Sequence, residues 1–146
     1  GGTADTADYK TVCSGMTDHA EVIAVNYDPA IITYGQLLKV FFAVAHDPTH
    51  LNRQGNDIGR QYRSAVFFHS PSQQQAANEV IAQMTRDKVW PSPIVTEVVP
   101  AVRFWVAEDY HQRYFERNPN QSYCAFVVAP KVQKFRKHFL SKLKRA

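Results

Sequence analysis

A chain of 146 residues that is 45% apolar and 12% aromatic has the size and composition of one folded domain, 1–146, and not of a disordered segment. No apolar run approaches the ~18 residues that a membrane-spanning helix needs, and two cysteines, Cys13 and Cys124, are too few for a disulfide scaffold or a four-cysteine metal site. The net charge of +4 is uneven: from Lys131 onward there are seven Lys or Arg and no acid, which marks 131–146 as a basic helix or tail.

Residues 1–8 are small and polar and read as a loop. Over Glu21–Tyr27 the side chains alternate, with Ile23, Val25 and Tyr27 on one face, and this period of two predicts a strand closed by Asp28-Pro29. Thr33-Tyr34-Gly35-Gln36 fits a capping box, and the helix after it puts Leu37, Leu38, Phe41, Phe42 and Ala45 on one apolar stripe. Asp47-Pro48 stops that helix. From Asp47 to Gln61 no periodicity is visible, and a loop of that length in a compact domain is usually functional. Tyr62–His69 predicts a second strand. Ser70-Pro71 then opens a helix, with Ser as cap and Pro at the first helical position, that buries Ala76, Ala77, Val80, Ile81 and Met84. Ile94–Val99 reads as a third strand, Ala107–Arg117 as a short helix and Tyr123–Val128 as a short strand, before Pro130 opens a last basic helix. Strands alternate with helices, yet the loops do not suit a doubly wound sheet. The prediction is an α+β domain with a split β-α-β (ferredoxin-like) core, a mixed sheet and long functional loops.

Two polar runs cannot be explained as core packing: YKTVCSGMTDHAEV (Tyr9–Val22) and NRQGNDIGRQYRS (Asn52–Ser64). Each packs acids, amides, a tyrosine and glycines ahead of a strand-like stretch, where functional loops on a rigid scaffold tend to lie. Taken singly, Glu21 reads as a strand-end ion pair, Tyr9 and Tyr62 as strand-edge packing, and Asp57 as a turn former. Gly15, Gly55 and Gly59 read as backbone devices for tight loops. His46 and His50 have the spacing of a helical zinc pair, but Pro48 between them forbids the helix, so no metal site is expected.

Together with AEDYHQRYFERNPNQ (Ala107–Gln121), these runs closely resemble the A-type peptide methionine sulfoxide reductases, and three separated motifs agreeing in order and spacing outweigh the blander readings. The resemblance implies thiol-dependent reduction of the S-epimer of methionine sulfoxide, free or in proteins, as a repair of oxidative damage. It assigns Glu21, in His-Ala-Glu, as the proton donor. Tyr9 and Tyr62 would bind the sulfoxide oxygen, and Asp57 would line the pocket. Such groups suit the chemistry: as the S–O bond breaks the oxygen becomes basic and needs a donor, and phenols can hold it by hydrogen bonding. The product is a cysteine sulfenic acid, which a second thiol must reduce. Cys124 lies where many family members place such a recycling cysteine, and is the candidate resolving residue, with a structural thiol as the alternative. His111, in the third motif, reads as structural.

The family keeps its nucleophile in a Gly-Cys-Phe-Trp-Gly motif near the start of the domain, and these residues contain no such motif. Cys13, in Val-Cys-Ser-Gly, matches a cysteine that is not the nucleophile and reads as a buried, inert thiol. A chain opening at Gly1-Gly2 without methionine is expected to be an N-terminally truncated piece that begins just after the motif. No metal or organic cofactor is implied, and a thioredoxin-like dithiol is the expected reductant. The few cysteines favour a reducing compartment such as the cytoplasm; Asn120-Gln121-Ser122 would be a glycosylation acceptor only in a secreted protein. Two other functions fit parts of the sequence. One is a non-catalytic binder of sulfoxide-containing peptides. The other is a basic polyanion-binding module built on the tail, against which stands the lack of any groove-reading motif for nucleic acid.

Overall fold

The computed structural model describes residues 1–139. Its helices are α1 (Tyr9–Cys13), α2 (Tyr34–Val40), α3 (Pro71–Arg86), α4 (Tyr114–Arg117) and α5 (Ala129–Phe139); its strands are β1 (Arg53–Gln54), β2 (Asp57–Ile58), β3 (Ala65–Phe68) and β4 (Glu97–Pro100). The architecture is α+β. Two compact units are present: Gly1–Val106, and a second that begins at Ala107.

In the first unit, β3 and β4 run parallel, with Ala65 opposite Glu97 and Phe68 opposite Pro100, and α3 is the crossover between them. The sequence stops and starts α3 as predicted: the Ser70 side chain accepts the Gln73 N–H at 3.3 Å and Pro71 takes the first turn. The Thr33 capping box also forms, with Gln36 N–H donating to Thr33 Oγ1 and Thr33 N–H donating to Gln36 Oε1. Helix α2 then loosens into a π-helical turn, Phe41–Ala45, and ends before the fully buried Pro48. Leu38, Phe42, Val66 and Ala77 form the centre of the core, wrapped by Tyr34, Phe41, Ala76, Val80, Ile81, Met84, Ile94 and Val98. Of the predicted α2 stripe, only Ala45 lies exposed, because the π turn rotates the last residues off the helical face.

A polar chain ties the end of α2 to both strands. His46 Nδ1 lies 3.2 Å from the Phe41 carbonyl, which can only accept, so Nδ1 carries a proton. Nε2 lies 2.6 Å from Ser64 Oγ, and Ser64 Oγ shares a hydrogen bond with Thr96 Oγ1 at 2.7 Å. His46 is thus engaged in joining α2 to β3 and to the chain before β4, and it is not paired with His50 as a ligand.

Several expected elements differ. Glu21–Tyr27 is not a strand: it joins no ladder among the described residues and lies exposed, Tyr27 excepted, because no strand stands beside it to receive its alternating face. The third strand starts at Glu97 and not at Ile94, since Val95 N–H instead bonds the Pro48 carbonyl at 2.9 Å. The Asp47–Gln61 loop holds the small β1–β2 antiparallel ladder. In the second unit, Ala107–Arg117 is broken into a 3-10 turn, Asp109–His111, and α4, because Arg113 between them adopts φ +53°. Tyr123–Val128 is not a strand. Cys124–Val128 is a π-helical turn that runs directly into α5, and its i→i+5 register absorbs the missing N–H of Pro130. Helix α5 carries the basic residues up to Phe139; the rest of the predicted tail lies outside the described residues.

Because Phe42 is 0% exposed at the centre of this core, Phe42→Ala is expected to lower stability by about 3–5 kcal/mol. Urea unfolding should show it as a lower midpoint with an unchanged slope.

Candidate active site

Helix α1 is a single short turn and needs its caps. Asp8 provides the first, accepting the Thr11 N–H at 3.1 Å. Tyr9 and Cys13 stand four residues apart, so they share one face of α1. Tyr9 is 46% exposed. Beyond Gly15 the chain returns through Thr17–Ala20, where His19 is buried and its Nε2 meets Thr6 Oγ1 at 3.0 Å and the Thr3 carbonyl at 3.3 Å.

The loop before Glu21 is held from across the unit by Arg63, whose side chain is only 7% exposed. Its Nη1 donates to the carbonyls of His19 (3.2 Å) and Arg60 (3.0 Å), its Nη2 to the carbonyl of Asp18 (3.2 Å), and its Nε to Glu97 Oε2 (3.2 Å). The fixed fork of a guanidinium can satisfy all of these at once, which a lysine cannot. Arg60 lies 3.6 Å from Asp18 and 4.0 Å from Glu97, but these pairs are solvent-screened and add little. Glu21 itself is pinned by its backbone, its N–H donating to the Gln61 carbonyl at 2.9 Å.

Tyr62 is the meeting point. It closes the 3-10 turn Arg60–Tyr62, which follows the sharply turned Gly59 at φ +148°. Its phenol pKa is pushed up to about 12, first by burial and then by the negative charges of Glu21, Cys13 and Asp57. A hydrogen bond with Cys13 adds to the shift. Glu21 Oε1 lies 4.0 Å from Cys13 Sγ. The structure therefore brings Glu21, Asp57 and Tyr62 together in the first unit, with Cys13 among them; Tyr9 enters through the shared face of α1. The thiol of Cys13 is half-buried beside a carboxylate and a phenol, and is not the apolar, enclosed thiol that was expected. Glu21 is exposed. Cys124 is fully buried in the second unit. His111 sits 3.8 Å from Glu108 in its own turn. Among the described residues no group of three or more His, Cys, Asp or Glu could hold a metal ion.

Two residues of the site were missed from the sequence, Gln61 and Arg63. Both stand in the quoted run Gly-Arg-Gln-Tyr-Arg-Ser, where Arg63 at a strand start reads as a solvated charge and Gln61 as an ordinary loop amide. The available signal was their place on either side of Tyr62.

A raised phenol pKa fixes a sign. The protonated phenol contributes to stability fully below pH 10.0 and loses that contribution as pH rises toward about 12. In 13C-tyrosine NMR, Tyr62 should titrate near pH 12, and Glu21→Gln should move that midpoint down, because a negative neighbour is removed. Arg63→Met removes the side-chain donor to the Asp18 and His19 carbonyls and the nearer cation beside Glu97, while the Arg60 carbonyl keeps the main-chain N–H of residue 63; it should cost about 2–4 kcal/mol in urea unfolding, and Arg63→Lys should recover only part of it.

The comparisons with known proteins agree with one another. The family model described as "Peptide methionine sulfoxide reductase" matches residues 1–143. The peptide methionine sulfoxide reductase MsrA of Chromobacterium violaceum is 52% identical over 139 residues, covering 95% of this chain and 78% of that protein. Its namesake in Ralstonia nicotianae is 54% identical, covering 98% of this chain and 76% of the relative. Among solved structures, reduced Mxr1 of Saccharomyces cerevisiae superposes with a TM-score of 0.78 at 38% identity, over 85% of this chain and 70% of that one. Methionine sulfoxide reductase A of Corynebacterium diphtheriae gives a TM-score of 0.72 at 37% identity, over 78% and 58%.

Proposed function

The chain belongs to the peptide methionine sulfoxide reductase family, and from that membership we propose that its first unit supplies the groups that hold and protonate the sulfoxide oxygen. The substrate is the S-epimer of methionine sulfoxide, free or in oxidised proteins, and the product is methionine. Glu21 is the proton donor, Tyr9 and Tyr62 bind the oxygen, and Asp57 lines the pocket. The reaction balances as one sulfoxide and two thiols giving one sulfide, one disulfide and water. The oxygen leaves the methionine sulfur as the first thiol is oxidised to a sulfenic acid, and the second thiol expels it as water. The family's attacking cysteine stands in a Gly-Cys-Phe-Trp-Gly motif that these 146 residues do not contain, so the roles argued here are those of the acid and the phenols. Cys124 is the proposed resolving thiol, and a thioredoxin-like dithiol the proposed reductant.

The observation that carries this reading is the grouping of Tyr62 with Glu21 and Asp57. Like any phenol, Tyr62 has its O–H to offer an acceptor oxygen throughout the neutral range, and burial together with its negative neighbours disfavours loss of that proton further. A sulfoxide oxygen is a strong acceptor and a thioether sulfur a weak one, so the same donors separate substrate from product. At the level of the fold, we propose that the parallel β3–α3–β4 crossover is the β-α-β part of a ferredoxin-like core; its two strands pair directly, without the intervening strand that a split unit places between them. We take the two units as parts of one reductase domain, which a family match running from residue 1 to 143 supports.

Titrating 13C-tyrosine-labelled protein with N-acetyl-L-methionine amide sulfoxide tests the reading. The S-epimer is expected to shift the Tyr62 and Tyr9 ring signals, the R-epimer much less, and the sulfide not at all; Tyr62→Phe should weaken S-epimer binding by about 1 kcal/mol, or roughly fivefold. Equal shifts from both epimers and the sulfide, or none from any, would sink it.

A further inference from the structure

One buried polar side chain beside the site is unexplained by packing. Gln61 is 3% exposed, and its amide oxygen has no hydrogen-bond partner among the described residues. A buried acceptor without a partner lowers stability, and an apolar side chain of the same shape would avoid the loss. The orientation of the amide explains why the oxygen is left over. Gln61 Nε2 donates to the carbonyl of Cys13 at 3.5 Å. That carbonyl is the last of α1, one of the C-terminal acceptors that a helix cannot satisfy internally. Since a carbonyl only accepts, the NH2 group must face Cys13 and the oxygen must point the other way, between the backbones of Gly15 and Gly59. Both glycines have positive φ, and a methyl group at Gly59 would run into the Gln61 amide, so the turn itself is shaped to admit this side chain.

Gln61 therefore ties the site together by both ends. Its main-chain carbonyl takes the Glu21 N–H at 2.9 Å, its side chain caps α1 from 48 residues away, and its chain neighbour is Tyr62. We propose that Gln61 is a positioning residue for sulfoxide recognition: by capping α1 it sets Tyr9, one turn earlier on the same face, in register with Tyr62. The inference rests on the sulfoxide-binding reading above and deepens it. The unsatisfied amide oxygen is the concession made for that register, since no apolar residue can donate to the Cys13 carbonyl. The backbone bond to Glu21 survives every substitution at position 61, so a variant there reports on the side chain alone.

The discriminating variant is Gln61→Met, which keeps the volume and removes both the donor and the stranded oxygen. The midpoint of urea unfolding is expected to hold, because the lost bond and the removed orphan offset each other. Native-state hydrogen exchange should show the Val12, Ser14 and Gly15 amides, all bonded back into α1, opening about fivefold faster, while the β3 amides keep wild-type rates. Binding of the S-sulfoxide amide should weaken about fivefold, and that loss should vanish in a Tyr9→Phe background, the mark of two residues acting as one. Unchanged exchange in α1 overturns the proposal, as do losses that simply add in the double variant. A wild-type protein with no affinity for the sulfoxide removes the functional reading instead, and the exchange measurement then decides on its own whether Gln61 positions α1.

Discussion

The guanidinium of Arg63 is the constraint on which the site depends. It lies almost fully buried at the threshold of β3, and it spends its donors on main-chain carbonyls of Asp18, His19 and Arg60 and on one carboxylate, Glu97, at the start of β4. In this way a parallel strand pair, which the apolar core makes rigid, passes its rigidity to a loop that has no regular structure. Two residues earlier, Gln61 does the same for Glu21 and for the end of α1. Gln61, Tyr62 and Arg63 thus behave as one device: the outer two anchor opposite sides of the polar loop, and the middle one is the ring around which the ionisable groups gather.

That arrangement has an electrostatic logic. Tyr62 is partly buried among groups that carry or can acquire negative charge, and each of them makes its own ionisation harder. A phenol so placed is a dependable hydrogen-bond donor and a poor acid. A phenol that keeps its proton favours a bound group that accepts hydrogen bonds, and a nearby acid can supply a proton to an oxygen that becomes basic as it reacts.

Much of this was legible in the sequence, and the reasons differ by element. The caps of α2 and α3 are local chemistry, so Thr33, Gln36, Ser70 and Pro71 announced them correctly. The core residues of α3 followed from helical spacing. Glu21–Tyr27 has the right alternation for a strand, but alternation reports only what a strand would do with a partner beside it, and none stands there among the described residues. Tyr123–Val128 misled for the opposite reason: its β-prone composition was overridden by a continuous helix whose wide turn makes room for Pro130. The candidate site was found through the spacing of its motifs. The residues that hold it, Gln61 and Arg63, were not, since a long-range hydrogen bond to a main-chain carbonyl leaves no trace in the identity of the residue that accepts it.

The unpaired Glu21–Tyr27 stretch has a practical corollary. Val22, Ile23 and Val25 are exposed on a stretch that belongs to no ladder among the described residues. Such a stretch presents alternating apolar side chains together with main-chain donors and acceptors, which is the template on which strands from separate molecules add to one another. Asn26 and Asp28 are the polar residues on hand to discourage this, and Pro29 ends the stretch. Among the described residues this stretch is the one most open to strand addition, and a lysine in place of Ile23 would set a charge on its apolar face.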